Sequence, residues 1–317
     1  MKASPLSKLK KTPRVYLFRL RRRWKRVLSY KKRFSNRAYI EYRFRKVFGR
    51  EVDLENPQAY SDKMQWMKLF YNNPLYAKCA DKVAARSYVE SKGLGEILNT
   101  CYGVYTSPSQ IDLDSLPEKF VLKAAHGSSW NLICKDKERL RSKWATWKKI
   151  LDAWLAQDYS LYARESHYTY VPPRLICEEY LENEDGSDVK DYKFFYFNEV
   201  LKIIEIDTDR ATDHKRNYYD ADLNLMSMTD GTPTDPRKQE LPDGVLQKMK
   251  DITRDLAKGF AHIRVDLYFV KGKIYFGELT FTDGAGFTKY TPSEFDFLLG
   301  SWFELPDKSS PYVMEIY

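Results

Sequence analysis

Cysteine and histidine are scarce in this 317-residue chain, with four of each. Cys79, Cys101, Cys134 and Cys177 form no CxxC pair and share no zinc-like spacing with the histidines, which excludes a zinc-ribbon or disulfide scaffold and predicts reduced, mostly buried thiols. Long apolar runs are missing too. No segment approaches the roughly 18–20 residues of a membrane-crossing helix, and the N-terminus lacks the uncharged core of a secretory signal. A cytoplasmic location is therefore expected. There is no internal repeat, no low-complexity linker and no credible Ser–His–Asp triad. Acids are almost absent from the first fifty residues, where Glu41 stands alone among 19 Lys and Arg, so residues 51–317 carry a net −9 within a total of +9.

Within that basic arm, RVYLFRLRRRWKRVL sets Leu17, Leu20, Trp24, Val27 and Leu28 at helical spacing on one side, with Arg19, Arg21, Arg22, Arg23, Lys25 and Arg26 around the rest. Three readings fit this pattern. One is a membrane-surface helix over residues 14–33, its leucines and aromatics in the interface and its cations on anionic headgroups. A second is a nucleic-acid arm, and the third is a packing helix with a solvated face. The acidic body argues against nucleic acid, and no nucleic-acid partner is expected.

After the arm, one helix is expected inside NPQAYSDKMQWMKLFYNNPLYAK, bounded by Pro57 and by Asn72, Asn73 and Pro74, and a second over about 82–92, stopped by Gly93 and Gly95. EKFVLKAAHGSSWNLICK reads as strand, polar turn, strand. DKERLRSKWATWKKILDAWLAQDY reads as one amphipathic helix with Trp144, Trp147, Leu151 and Trp154 on its core stripe. RLICEEYLE is a buried strand ending in acids, DYKFFYFNEVLKIIEID a hairpin turning at Asn198 and Glu199, and DRATDHKRNYYDADLNL a polar loop. A helix over 243–258 leads into a final hairpin. Interleaved helices with antiparallel hairpins indicate an α+β class.

That final hairpin, HIRVDLYFV and IYFGELTF joined at KGK, carries the most informative residues. A three-residue loop pairing Val270 with Ile274 places Asp266 opposite Glu278, with Arg264, Asp266, Tyr268, Phe276, Glu278 and Thr280 on one face. A one-residue slip would drive Glu278 onto the apolar face. Two facing carboxylates repel, so a cation is required: Mg²⁺ bridging to phosphate oxygens, or Arg264 in an ion-pair ladder. Lys123, among Val121, Leu122 and Ala124, needs a buried anion, either a nucleotide phosphate or a carboxylate such as Glu179. The turn after it offers Gly127, backbone amides and the hydroxyls of Ser128 and Ser129 to a phosphate. Glu178 and Glu179 could accept from a ribose hydroxyl or lie beside an adenine amine. Asp191 and Lys193 share a face as a possible ion pair, and Lys215, Arg216 and Asn217 form a basic loop cluster.

The order of an early lysine, a strand lysine with a polar loop, acids closing a strand and acids on a hairpin resembles the ATP-grasp superfamily. NPQAYSDKMQWMKL, LYAKCADKVAARSYV, FVLKAAHGSSWNLICKD, CEEYLE, DYKFFYF, DHKRNYYD and RVDLYFVKGKIYFGELTFTDGAGF resemble successive blocks of its TupA-like branch, named for teichuronopeptide synthesis, over about 55–304. The resemblance implies two α+β lobes clasping ATP, with residues 1–50 as a basic helical extension, 51–117 as a helical region before the lobes, 118–183 as the small lobe and 184–317 as the large lobe. It implies ATP and Mg²⁺ as cofactors, with Lys82, Lys123, His126, Gly127, Ser128, Ser129, Glu178 and Glu179 binding nucleotide and Asp266, Glu278 and Thr280 binding metal. Thr280 stands where many ATP-grasp enzymes have Asn, and the loop reads HGSSWN in place of HGSGGN. The implied activity is a carboxylate–amine ligase acting through an acylphosphate, with Arg264, Lys193 and Arg216 as catalytic candidates. The acceptor would be a uronic acid of a surface polysaccharide or lipid-linked glycan, joined to an amine co-substrate at the inner face of a bacterial membrane. The alternatives are a sugar kinase and a glycosyltransferase of the same pathway; the latter leaves Lys82 and Lys123 unused.

Overall fold

Two antiparallel sheets carry the fold, and each turns one face to a helix layer. The computed structural model describes residues 12–237 and 239–314; residues 1–11 of the basic extension lie outside the described residues. Helices α1 (Pro13–Arg33) and α2 (Asn36–Phe48) form the arm. Ser35 caps α2 by accepting from Ala38 N, and Gly49 ends it in the left-handed conformation that a side chain would disfavour. Helices α3 (Tyr60–Phe70), α4 (Pro74–Ala80) and α5 (Ala84–Ser91) follow. Helix α4 begins with Pro74 under an Asn73 cap, so the residues expected to close the preceding helix also start a further one.

The first sheet has the order β1 (Cys101–Tyr105), β4 (Leu175–Glu179), β2 (Phe120–Ala124), β3 (Asn131–Cys134). It draws β1 from the segment ahead of residue 118. Its core holds Phe120, Leu122, Trp130, Leu132, Ile150, Leu151, Trp154 and Leu175. The expected single tryptophan-bearing helix is two, α6 (Lys137–Arg141) and α7 (Trp144–Leu155), followed by the short α8 (Ser160–Ala163). Leu151 and Trp154 are buried as expected, joined by Ile150.

The second sheet has the order β7 (Lys215–Tyr219), β6 (Val200–Thr208), β5 (Asp191–Phe197), β8 (His262–Val270), β9 (Lys273–Thr280). Asn198 and Glu199 turn β5 into β6 with positive φ values of 46° and 66°. The cluster expected as a basic loop is the edge strand β7, paired to β6 with Arg216 opposite Asp207. Tyr192, Phe194, Ile204, Ile263, Val265 and Leu267 face helix α9 (Val245–Ala257), whose Met249, Ile252, Leu256 and Ala257 are buried in the same core. Helix α10 (Glu294–Trp302) packs against α3.

The β8–β9 hairpin reaches the expected pairing by a different route. Val270 pairs with Lys273 around a two-residue turn, Lys271–Gly272, whose positive φ values of 51° and 76° suit the strand twist. A bulge at Gly277 then restores Asp266 opposite Glu278. Ile274 and Phe276 therefore lie opposite Phe269 and Leu267, and Tyr275 opposite Tyr268, reversing the expected faces of Tyr275 and Phe276.

Candidate functional site

Cross-strand pairing sets Tyr218, Glu205, Lys193, Asp266 and Glu278 in one line across β7, β6, β5, β8 and β9. This polar row lies on the sheet face opposite α9. Arg264, two residues before Asp266 and so on the same face, gathers the acids. Its Nε and Nη2 each lie 2.7 Å from an Asp266 carboxylate oxygen, Nη2 is 3.1 Å from Glu278 Oε1 and 3.2 Å from Thr280 Oγ1, and Nη1 pairs with Asp283. Burial pushes the Asp266 carboxyl up to about 6 against the pull of Arg264. Burial also opposes ionisation of Glu278, yet Lys82, Arg264 and the Thr280 hydroxyl together hold it below the usual carboxylate value.

The first sheet supplies the facing half. Lys123 Nζ lies 2.7 Å from Glu178 Oε2, and Arg86 Nη1 3.3 Å from Glu178 Oε1. Val121 stands opposite Glu178 and Lys123 opposite Ile176, so lysine and glutamate are diagonal neighbours on one face. The carboxylate partner is thus Glu178 and not the expected Glu179. Strand alternation turns Glu179 to the other side, where Thr100 N and Oγ1 donate to it at 3.3 and 3.2 Å. Despite desolvation, Lys123 and Arg86 keep Glu178 below its ordinary value.

Lys82 joins the two halves. It precedes α5, and its Nζ donates to the Gly127 carbonyl at 2.5 Å. Burial lowers its pKa, while Glu278 and Glu178 oppose that shift and Lys123 adds to it. Both acids therefore act on one ammonium across the two sheets.

The polar turn is built around aromatic packing. His126 points into the small lobe, its Nε2 3.0 Å from the Trp154 carbonyl, and burial lowers its pKa. A Cβ at Gly127 would meet Tyr159 at 2.8 Å and Trp130 at 2.9 Å, so only glycine fits there. Ser128 meets the Tyr159 hydroxyl, and Ser129 is exposed at φ 62°. Trp130 lies parallel to Trp154 with centroids 6.5 Å apart and meets Tyr159 and Tyr162 edge-on, so the second of the two residues that depart from HGSGGN fills the lobe core.

Farther along the same row, Lys193 and Arg216 are held by a second set of acids. Lys193 Nζ is 2.6 Å from Glu205 and also pairs with Asp207. Arg216 lies 2.7 Å from both Asp207 and Asp230. Asp191, expected beside Lys193, pairs with Arg210. Glu205, Asp207, Arg210, Arg86 and Asp283 belong to these clusters and were not singled out from sequence. Arg86 follows Lys82 by four residues, a same-face signal, and Glu205 and Asp207 alternate with isoleucines in KIIEID; the partners of Asp283 and Arg210 are too remote in sequence to read.

The donors gathered here are hard oxygens, the kind that a divalent cation takes together with phosphate. Oxygens of Asp266, Glu278, Thr280 and Asp283 converge on one guanidinium. Among the described residues no group of three or more His, Cys, Asp or Glu is spaced to hold a metal unaided, and Mg²⁺ characteristically takes one or two carboxylates and completes its shell from phosphate and water. A concavity of about 510 Å³ lined by Glu96, Asp243, Lys248, Phe269 and Lys273 lies at the back of the hairpin, away from these acids.

A family model described as TupA-like ATPgrasp matches residues 62–304. No curated protein matches the sequence. Among solved structures the chain is similar to D-alanine–D-alanine ligase from Bacillus anthracis, at 16% identity over 70% of this chain and 66% of that one, TM-score 0.41. It is similar to the same enzyme from Helicobacter pylori, at 14% over 79% and 68%, TM-score 0.43, and to L-amino acid ligase from Bacillus licheniformis, at 12% over 72% and 46%, TM-score 0.39. The chain spans about half to two thirds of the length of the first of these solved ligases.

Proposed function

The chain belongs to the TupA-like ATP-grasp family, and from that membership we propose that it is an ATP-dependent carboxylate–amine ligase modifying a surface polysaccharide. One observation carries the reading: Lys82 is poised between Glu278 of one sheet and Glu178 of the other, with Lys123 beside it. Two half-buried lysines facing two acids are an arrangement suited to a polyphosphate bridged to the protein by metal.

Asp266 and Glu278, with Thr280 beside them, would hold Mg²⁺, whose chemistry when bound is to neutralise the nucleotide phosphates and polarise the phosphorus. Lys82 and Lys123 add positive charge on the facing side. Glu178, held anionic by Lys123 and Arg86, fixes the strand lysine and offers an acceptor to nucleoside hydroxyls or amines. Arg264 stays cationic, since its three acids outweigh burial, and it stabilises charge developing beside Asp266. Lys193 and Arg216, saturated by the buried Glu205 and Asp207, hold the polar row in place and are not free to bind an acceptor carboxylate. In the reaction a uronic-acid carboxylate takes the γ-phosphoryl group, ADP leaves, and an amine displaces phosphate to form an amide. The acceptor is a lipid-linked glycan, which places the enzyme at the cytoplasmic face of a membrane; no described helix is long and apolar enough to cross one.

Calorimetry with Mg²⁺ and a non-hydrolysable ATP analogue tests the nucleotide half: micromolar binding by the wild type that is lost in Asp266→Asn is expected. Product analysis with uronic-acid and amine pairs tests the rest. Phosphorylated sugar without amide would replace ligase by kinase, and binding of a nucleotide sugar in place of ATP would replace it by glycosyltransferase.

A further inference from the structure

The apolar stripe of α1 is already spoken for. Leu20 and Val27 are buried in the small-lobe core, and Tyr16, Leu17 and Trp24 pack against it. Trp24 stacks on Tyr162 at 5.8 Å, and Tyr16 meets Trp154 edge-on at 6.4 Å. Arg23 lies over the Tyr162 ring at 4.5 Å, at the margin of the same contact. Of the apolar side chains expected to enter a lipid interface, Leu17, Leu20, Trp24 and Val27 therefore face the protein, and Leu28 alone stays exposed.

Docking this stripe fixes what the helix shows to solvent. Val15, Phe18, Arg22, Lys25 and Ser29 follow one another at steps of three and four, along the line opposite Leu20 and Val27. Arg14, Arg21 and Lys32 flank one side of that line, and Arg19, Arg26 and Arg33 the other. All eleven are exposed. The helix contains no acid, and among the described residues none of its cations forms an ion pair. Phe18 is 66% exposed and Val15 41%, and among the described residues of the helix Arg14, Arg19, Arg21 and Arg22 flank them.

We infer that this outward face, and not the leucine–tryptophan stripe, is a docking surface for an anionic lipid bilayer. The inference deepens the proposed reading of an enzyme acting on a lipid-linked acceptor and rests on it for its purpose, though not for its physics. A 21-residue helix is about 31 Å long, and lying flat it brings this row of cations to headgroup phosphates at once. Each cation near such a surface multiplies binding roughly fivefold. Phe18 and Val15 discriminate between polyanions: an aromatic and a β-branched side chain at the N-terminal end of a cationic face gain from an acyl interface and gain little from a phosphodiester backbone, which needs charge alone.

The test is co-flotation of the full chain with vesicles of phosphatidylcholine alone or mixed with phosphatidylglycerol, with ATP-analogue binding measured on the same samples. Binding only to the mixed vesicles, weakening with salt, is expected. Arg22→Glu with Lys25→Glu should lower the partition by two orders of magnitude or more, and Phe18→Ser should weaken it severalfold without changing its salt dependence. Nucleotide binding should stay intact in all of them, because these side chains are exposed and remote from Lys82. Unchanged flotation of the double variant overturns the inference, as does tight binding to a random DNA duplex with none to the mixed vesicles. Loss of nucleotide binding by the wild type, with flotation retained, would instead overturn the ligase reading alone.

Discussion

An added methyl group at Gly277 would lie 2.9 Å from the Asp266 carbonyl oxygen and 3.1 Å from the Tyr268 ring. The bulge that brings Glu278 opposite Asp266 therefore depends on the missing side chain. Gly277→Ala should destabilise by about 1–3 kcal/mol in urea unfolding and weaken Mg²⁺-nucleotide binding, whereas Lys271→Asn, in a turn that favours asparagine, should be neutral or slightly stabilising. A second consequence at this scale concerns acid. His262 bonds Tyr60 and the Tyr196 carbonyl in the core, and burial depresses it to about 4; burial likewise depresses His167 to about 3. Both folded values lie below the unfolded one near 6.5, so stability is full above that pH and is lost as pH falls toward the folded values. At pH 5 each histidine should cost about 2 kcal/mol. Chemical denaturation at pH 7 and pH 5 should show a smaller loss for His262→Gln than for the wild type. Residue types were legible where chemistry was local: Asp266, Glu278, Lys123 and Lys82 do meet charge. The partner of Lys123 was misread by one position, because a diagonal contact needs the strand register.

Helices and strands were recovered wherever periodicity and terminators agreed, as in β2, β4, the β5–β6 hairpin and α9. Strand β7 was missed because Arg216 reads as a surface cation until Asp207 and Asp230 are brought to it. The three-residue hairpin turn was inferred from side-chain alternation, and a bulge breaks alternation without leaving an unambiguous mark. The loop after β2 behaves as part of the small-lobe core. Trp130→Ala should therefore cost about 3–5 kcal/mol, seen as early loss of protection in β2, β3 and α7 by hydrogen exchange, with the β8–β9 hairpin still protected. Equal loss across both sheets would mean that the lobes unfold as one unit.

At the scale of the whole molecule, the two sheets meet through few polar links, Lys82 to Gly127 and Thr282 to Glu165 among them. A ligand gripping both sides should bind the native state only. At a hundredfold excess over its Kd, an ATP analogue with Mg²⁺ should add about 2.7 kcal/mol of stability, read as a higher melting temperature that Lys82→Met and Asp266→Asn largely abolish. Family, α+β class and the hairpin acids were within reach of the sequence alone, because period-two alternation, helix caps and motif spacing are local properties of the chain. Which carboxylate holds Lys123, that Arg264 gathers oxygens of four residues, that Lys193 and Arg216 are sequestered by acids, and which side of α1 faces outward depended on tertiary packing. Charges find partners, and apolar stripes find cores, only when segments distant in sequence are brought within a few ångströms.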